Sequence, residues 1–450
     1  MSKWDVIIVG AGYGGLCSGA LLAQKGKRVL VLEKDHDIGG RAKSILYEGH
    51  VLDDGAHIPS QSGHLESIFS DLDIPYPEIL PLPDSEIYID GKWQSSRSLF
   101  SQDMFREVLG NIMKLSSDEI SSLNDVPLND WVAGISNDPG IRLLFFYLGC
   151  STSVGNRFET YSAGEMIYVL RDILDTGRKL RDIAGVIKGG MLSILKPLRN
   201  CIEKNGGEVR LNSPVESVEI KNGKVIGVNI ETGDRLFHSQ VMPVETLKSD
   251  HVIITVPMWD IFSVLDESQF PNWWVDWVKW IGAKISQAWS IIYALDEPLF
   301  DLGTFRLAPN LPESGFSGIF FPMPGYGGKS GEYQFHVSYQ GHYDEMPDLL
   351  NRKSAKVRRE IRDTIAMLER ESIQLYPKLK DANHWRIAHA GIYGIAQSPG
   401  FVGQKRPSMK VPGFPNLFIV SGTSQEARGI SMSAIGKCAR MAADAIMSGE

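Results

Sequence analysis

Three glycines, Gly10, Gly12 and Gly15, follow a run of apolar residues, and an acid, Glu33, closes the next such run. The spacing Gly-x-Gly-x-x-Gly suits a turn between a buried strand and a helix. Its first glycine permits the tight turn, its second lets a pyrophosphate approach the backbone, and its third lets helix and strand pack closely. The helix N-terminus then offers free N–H groups and a positive dipole end to phosphates. Glu33 lies 23 positions after Gly10, where a carboxylate can accept hydrogen bonds from both ribose hydroxyls of an adenosine. The same carboxylate would repel a 2′-phosphate, which weakens an NADP reading. The chemistry is dinucleotide binding, with Tyr13, Gly14 and Lys34 as further candidate contacts. This unit alone does not separate NAD from FAD.

The elements that must position these residues are legible around them. Residues 5–9 read as a buried parallel strand, 14–25 as a helix of small and apolar residues, and 28–32 as the next strand, a βαβ unit. At 450 residues the chain is too long for one simple core, so two domains are expected. A hydrophobic content of 43% with 22% charged residues is that of a soluble globular protein. The net charge of −8 and the lack of any basic run speak against a nucleic-acid partner. No apolar stretch approaches the roughly 20 residues that span a bilayer. Met1–Asp5 lead into the first strand without the apolar block of a signal peptide, and the four cysteines are scattered. A reduced, cytoplasmic compartment is expected, with no disulfide frame and no zinc site.

The segment "LEKDHDIGGRAKS" followed by "LDDGAHIP" resembles the opening of the phytoene desaturase and flavin amine oxidase superfamily of FAD enzymes. The resemblance implies that Gly39-Gly40-Arg41 runs under the FAD pyrophosphate, with Arg41 as the cationic partner of the phosphates. It implies that Asp53–His57, with Gly55 at the turn and Ala56 and His57 beyond, comes close to the flavin ring. In the block 188–234 it implies that Val215 contacts the adenine through its backbone. "PNLFIVSGTSQEARGISMSAIGKCARMAADAIMSG" resembles the second flavin motif: a strand leads to Ser421-Gly422-Thr423, and Gly429, Ile430 and Ser431 open a helix aimed at the flavin pyrimidine. Such a helix start would stabilise negative charge on the reduced ring. Most of the superfamily has Gly-Asp at Gly422-Thr423, whereas carotenoid desaturases and isomerases more often carry Gly-Thr. The usual proline and glycine of the loop that follows are replaced here by "QEAR".

The resemblance and the patterning together imply an α/β fold. A Rossmann-like FAD-binding domain of the glutathione reductase type 2-like kind would use 1–80, 185–257 and 396–450. An interleaved α+β substrate domain on a mixed sheet would use 81–184 and 258–395. The first of its two segments reads as helical, with long stretches at 101–115 and 161–186, and the second mixes strands at 287–295, 318–323 and 333–340 with a helix at 352–374. "GYGGKS" at 325–330 lacks the first glycine of a phosphate loop, Met323 standing in its place, and reads as a hairpin loop. Trp273, Trp277 and Trp280 share a helical face. They serve either as packing or as a rim for an apolar substrate or a membrane interface.

For catalysis the candidates are His57 as a proton donor, Tyr393 as a ceiling over the flavin, and Arg386 as an anchor for an acidic substrate group. Each has an ordinary structural alternative in a turn, a core strand or a surface ion pair. By the resemblance, flavin amine oxidases carry a lysine that bridges to flavin N5 through water, and the matching position here is Ser290. The expectation is therefore an FAD oxidoreductase that transfers hydride between a substrate C–H and flavin N5. It would form, saturate or isomerise a C=C bond in a small apolar, isoprenoid or alicyclic substrate. The alternatives are an amine or amino-acid oxidase, and a non-catalytic flavoprotein with structural FAD. No second glycine unit occurs, so oxygen, a quinone or another small acceptor would reoxidise the flavin, unless the cycle is redox-neutral.

Overall fold

The computed structural model describes residues 3–55, 63–152, 158–177, 185–233, 236–237, 239–323, 331–341, 344, 346–381, 383–429 and 431–449. The first apolar run forms the strand Trp4–Val9, followed by the helix Tyr13–Gln24 and the parallel strand Val29–Leu32. Alternate residues of the first strand serve two cores, as the period of two requires. Val6 and Ile8 pack under the helices Tyr13–Gln24, Leu192–Lys204 and Ser431–Ser448, while Ile7 and Val9 join Trp274 and Val278 on the other side. Cover on both faces is why this strand reads as a continuous apolar run.

The sheet built on this strand runs in the order Val215–Lys221, Lys224–Glu231, Val244–Ile254, Trp4–Val9, Val29–Leu32 and Glu208–Arg210, and Leu417–Ile419 also pairs with Val244–Ile254. Val244–Ile254 does two jobs. Its first half is antiparallel to Lys224–Glu231, and its second half is parallel to Trp4–Val9 and to Leu417–Ile419. Residues from the two ends of the chain are thereby held one strand apart.

A second sheet is ordered Asn383–Ile395, Ile285–Leu295, Tyr333–Gly341, Gly318–Met323, Thr304–Ala308, Asp84–Ile89 and Lys92–Ser95. It is mixed, because Thr304–Ala308 lies parallel to Asp84–Ile89 while its other pairings are antiparallel. One face packs Trp289, Ile291, Tyr293, Phe335, Val337 and Tyr339 with Leu368 of the helix Ala355–Leu375. By alternation the other face carries Ser290, Ile292, Ser338, Ile387 and His389. That face meets the hairpin Ala42–Tyr47/His50–Gly55: Gln334 Nε2 donates to the Val51 carbonyl at 2.9 Å, and Phe321 and Met323 pack beside Val51.

Two readings of the segment 81–184 need correction. It is not helical throughout, since Asp84–Ile89 and Lys92–Ser95 form a hairpin of the second sheet. The turn residues Asp90 and Gly91 both have positive φ, 52° and 76°, the conformation that an Asp-Gly pair favours in a two-residue hairpin loop. The helix expected over 161–186 stops sooner, spanning Ala163–Leu174 from a Ser162 cap, and Gly185–Ile187 is a strand against Ile79–Pro81.

The tryptophan helix spans Asn272–Gly282. Trp274 is its core residue, packed against Phe262 and Phe270, whereas Trp273 and Trp280 are 58% and 47% exposed. Trp277 donates its indole N–H to the Lys405 carbonyl at 3.0 Å. The loop 325–330 lies outside the described residues. Among the described residues no helix is long and apolar enough to cross a membrane, and no cluster of side chains could hold a metal ion.

Candidate active site

The glycine turn meets each steric demand read from its spacing. Gly10 has φ of 104°, and a side chain there would collide with Thr255. A Cβ on Gly15 would overlap the Gly10 carbonyl oxygen, so helix and strand touch backbone to backbone. Gly12 differs: an added Cβ would meet only the Gly39 carbonyl, at an ordinary 3.7 Å. No protein atom demands a glycine at 12, and the room in front of it suits a pyrophosphate. Gly12 is also the N-cap of Tyr13–Gln24 and provides no side-chain cap, so the first-turn N–H groups are available to an anion. Gly39 donates to the Ala11 carbonyl at 3.0 Å, which lays the second glycine turn alongside the first, and Gly40 has φ of 55°. The Tyr13 ring runs inward, where its buried hydroxyl lies under Gly436 without a hydrogen-bond partner, so only its backbone is left to meet a cofactor.

Glu33 is buried, at 5% exposure, at the end of the second strand. Its carboxylate accepts the Ala11 N–H at 2.7 Å and the Asp35 N–H at 3.0 Å. Its own backbone is clamped by Arg210 and Ser213, because Glu33 N–H donates to Arg210 and Ser213 N–H donates to Glu33. Val215, half-buried, begins a strand two residues beyond that clamp. Lys34 is exposed beside it.

The second junction converges on the first. A Cβ on Gly14 would lie 3.1 Å from the Val420 carbonyl oxygen and 3.0 Å from Ile435, so the strand end before Ser421-Gly422-Thr423 abuts the first helix. The Thr423 side chain, fully buried, accepts the Met258 N–H at 3.3 Å and donates to Ser421 at 3.1 Å. The Thr423 side chain is therefore committed to contacts within the protein. Gly429 has φ of 126° just before the helix Ser431–Ser448, while Ile430 lies outside the described residues, as do Ala56 and His57.

The loop "QEAR", unlike the superfamily pattern, is fixed by Arg428. Its Nε donates to Glu165 Oε2 at 2.8 Å, its Nη2 donates to Asn124 at 2.6 Å, and its guanidinium stacks 4.3 Å from the Tyr168 ring centroid. An ion pair to the helical segment, its carboxylate buried, thus fixes this loop.

Arg41 bridges the two sheets. Its Nη1 donates to the Tyr393 carbonyl at 2.6 Å, and its guanidinium lies 5.2 Å from the centre of the Trp259 ring. Arg41 keeps an open surface to solvent, yet surrounding protein pulls its pKa below the usual value, with Tyr393 opposing the shift. Gly55, with φ of 110°, lies against the Arg41 carbonyl, so a side chain there would overlap it. Tyr393 itself is the extra residue of a bulge, since its neighbours Ile392 and Gly394 pair with Gln287 and Ser286.

Arg386 stands on the helix-facing side of its strand, opposite to Ser290 and His389, and its Nε pairs with Glu369 at 2.7 Å.

Two roles were not read from the sequence. Asp53 is 1% exposed and is a structural anchor, accepting from Ser44 and from the Met191 N–H at the start of Leu192–Lys204. His389 stands on the side that meets the hairpin, directly across the strand pair from Ser290, with Asp54 Oδ1 3.9 Å from its Nδ1. Its Nε2 is buried without a hydrogen-bond partner, and burial lowers its pKa, with Asp54 opposing. The alternation Ile-x-His in "RIAHAG" was the available signal, but the face it pointed to was not. Trp385 shares this side and packs edge-on against His50 and Tyr47.

The model of the family described as flavin containing amine oxidoreductase matches residues 13–447. The chain belongs to this family. FAD is the family's cofactor and oxidoreductase its enzyme class, and the open space at Gly12, the uncapped helix start and the buried Glu33 carboxylate fit that cofactor. A 4,4'-diapophytoene desaturase (4,4'-diapolycopene-forming) of a Methylomonas species is 26% identical over 268 residues, which are 53% of this chain and 52% of that protein. The chain spans about half the length of the curated relatives it matches. An oxidoreductase from Methanosarcina mazei superposes with a TM-score of 0.73 at 18% identity, over 98% of this chain and 100% of that one. Cyclohexylamine oxidase from Brevibacterium oxydans IH-35A superposes with a TM-score of 0.65 at 16% identity, over 99% of each chain. At these identities the structural likeness is one of fold.

Proposed function

We propose that the chain is an FAD-dependent enzyme that moves a hydride between a substrate C–H and flavin N5. It thereby forms, saturates or shifts a carbon–carbon double bond in an apolar, isoprenoid or alicyclic substrate. The observation that carries this reading is the abutment of Gly14 on Val420, which brings the two glycine junctions of the chain together. FAD supplies the hydride acceptor or donor, and the chain's own residues bind, orient and exclude water. In this reading Glu33 holds the ribose, the first-turn N–H groups after Gly12 and the Arg41 guanidinium hold the pyrophosphate, and the start of Ser431–Ser448 faces the pyrimidine. The FAD-binding part is 1–80, 185–257 and 396–450, and the remainder carries the substrate.

Two features favour carbon–carbon chemistry over amine oxidation. Ser290, at the position matched to the amine oxidases' lysine, is uncharged, 3% exposed and 3.3 Å from Ser338. Two of the curated relatives that match about half the chain are named as desaturases. The wall beside Ser290 also carries apolar Ile292 and Ile387. Oxygen, a quinone or another small acceptor would close the cycle. The test is anaerobic: purified holoprotein is mixed with isoprenoid alkenes or with primary amines, and bleaching of the visible flavin band is followed. Bleaching by a reduced isoprenoid, or reoxidation of photoreduced protein by a polyene, supports the reading. Bleaching by amines with release of peroxide on admitting air replaces it.

A further inference from the structure

We infer that the cavity walled by Tyr168, Arg428 and Lys437 is a binding site for a small phosphate-bearing molecule. The site goes beyond the FAD reading and does not depend on it.

A cavity of about 410 Å³ lies between the loop 424–428, the helices Ser431–Ser448 and Ala163–Leu174, and the turn Gly403–Lys405. None of Gly10, Gly12, Glu33 and Arg41 lines it. Lys405 and Met441 on its rim are exposed, and Asn124, Tyr168, Arg428 and Lys437 are half-buried in its wall. A molecule in solution therefore reaches these groups. The volume is in the range that organic ligands occupy, roughly 300–1,000 Å³. It exceeds what a bare ion fills, since one water takes about 30 Å³.

Two cations are held against one aromatic ring. Arg428 lies 4.3 Å and Lys437 Nζ 5.2 Å from the Tyr168 centroid. Like charges brought together repel, so each needs a counter-charge. Glu165 takes Arg428 Nε at 2.8 Å, yet it also faces the buried guanidinium of Arg406. Lys437 donates to the Tyr168 hydroxyl at 2.5 Å and forms no ion pair among the described residues. Two further acids line the cavity, and both are engaged. Asp125 accepts the Gly400 N–H at 3.0 Å and lies 3.7 Å from Lys405. Glu426 accepts from Ser408 Oγ at 2.6 Å and from the Met409 N–H at 2.7 Å. Lys437 is left as the cation whose counter-charge the protein does not supply.

Hydrogen-bond donors converge on the same wall. Asn124 Oδ1 accepts from Arg428 Nη2 at 2.6 Å, which leaves Asn124 Nδ2 as a donor. A Cβ on Gly403, whose φ is 56°, would lie 2.9 Å from that Nδ2 and 3.5 Å from Arg428 Nη1. The two donors thus stand side by side where the turn lines the cavity, and Arg428 Nη1 makes no hydrogen bond among the described residues. A guanidinium edge, an amide N–H and an ammonium together suit the oxygens of a phosphate group. Met441, 40% exposed, offers apolar contact to the rest of the molecule.

The test is equilibrium dialysis of flavin-loaded protein against radiolabelled inorganic pyrophosphate at constant ionic strength, with FAD already filling the turn at Gly12. Wild type should take up one pyrophosphate per chain. K437Q should bind roughly tenfold more weakly for the loss of one charge-assisted contact, and K437R should keep most of the affinity. D125N removes a negative charge and keeps an acceptor for the Gly400 N–H, so it should bind several-fold more tightly. K196Q makes the same charge change as K437Q at an exposed lysine outside the cavity and should bind as wild type does. The site is overturned by any of four results: no saturable uptake by flavin-loaded wild type, K437Q equal to wild type, D125N no tighter than wild type, or an equal loss in K196Q. Each of these leaves the FAD reading standing. Protein that takes up no flavin overturns the FAD reading alone, and the same comparison of K437Q with wild type then decides this site.

Discussion

The Arg41 guanidinium donates to the backbone carbonyl of Tyr393 at 2.6 Å, which ties the turn under the proposed pyrophosphate to the bulge at the edge of the second sheet. A glycine-rich turn binds a dinucleotide in many folds. This link joins the turn to the edge strand of the second sheet.

Glu33 has two duties, and their loss should be separable. Glu33→Ala removes the acceptor of the Ala11 and Asp35 N–H groups. Stability should fall by about 1–3 kcal/mol from the unsatisfied buried donors, and FAD affinity should fall with it. Glu33→Gln keeps an acceptor oxygen and should recover most of the stability. Urea unfolding and FAD titration of both variants check this.

The Arg428–Glu165 pair ties the loop before the last helix to the helix Ala163–Leu174, and Glu165 is fully buried. Arg428→Ala should cost roughly 3–5 kcal/mol, because it strands a buried carboxylate. The double variant R428M/E165L should recover a large part of that loss. A double-mutant cycle by chemical denaturation measures the coupling.

All four cysteines are free and buried. Burial pushes the Cys17 and Cys150 thiols up to about 12, and raises Cys201 and Cys438 as well. Native protein at pH 8 should react with a thiol reagent far more slowly than unfolded protein, which should titrate all four. A fast native reaction would place a thiolate where the fold shows none.

Burial depresses the pKa of both His251 and His389 below the usual 6.5. Below that value the unfolded chain takes up protons that the native state refuses, so these groups make stability fall as pH drops through the window below 6.5. They leave stability level above it. Unfolding free energies at pH 5.5 and 7.5 should differ less in H251Q and H389Q than in wild type.

The glycine turn and Glu33 were legible because their demands are local: φ, close approach and one strand end. The Asp90-Gly91 hairpin carried an equally local signal, but the helical pattern of the surrounding segment masked it. Tyr393 and Arg386 were indistinguishable as strand residues. Their separation depends on the pairing of Asn383–Ile395 with Ile285–Leu295, which turns Arg386 to Glu369 and makes Tyr393 a bulge. The neighbours of His389 are set only when Ser290 lies across from it and Asp54 arrives on a hairpin from the other end of the chain. Register between distant strands is set by packing of whole faces, and no short stretch encodes it.

The most direct measurement is FAD uptake by wild type, Gly12→Val and Gly15→Ala, followed by visible absorbance alongside thermal unfolding. Wild type should hold one FAD per chain. Gly12→Val should melt like wild type and stay colourless, because its side chain enters space that no protein atom fills. Gly15→Ala should lose stability before binding is asked about, since its Cβ overlaps the Gly10 carbonyl. A folded wild type that takes up no FAD, or a Gly12→Val variant as yellow as wild type, would contradict a single FAD held where the two glycine junctions meet.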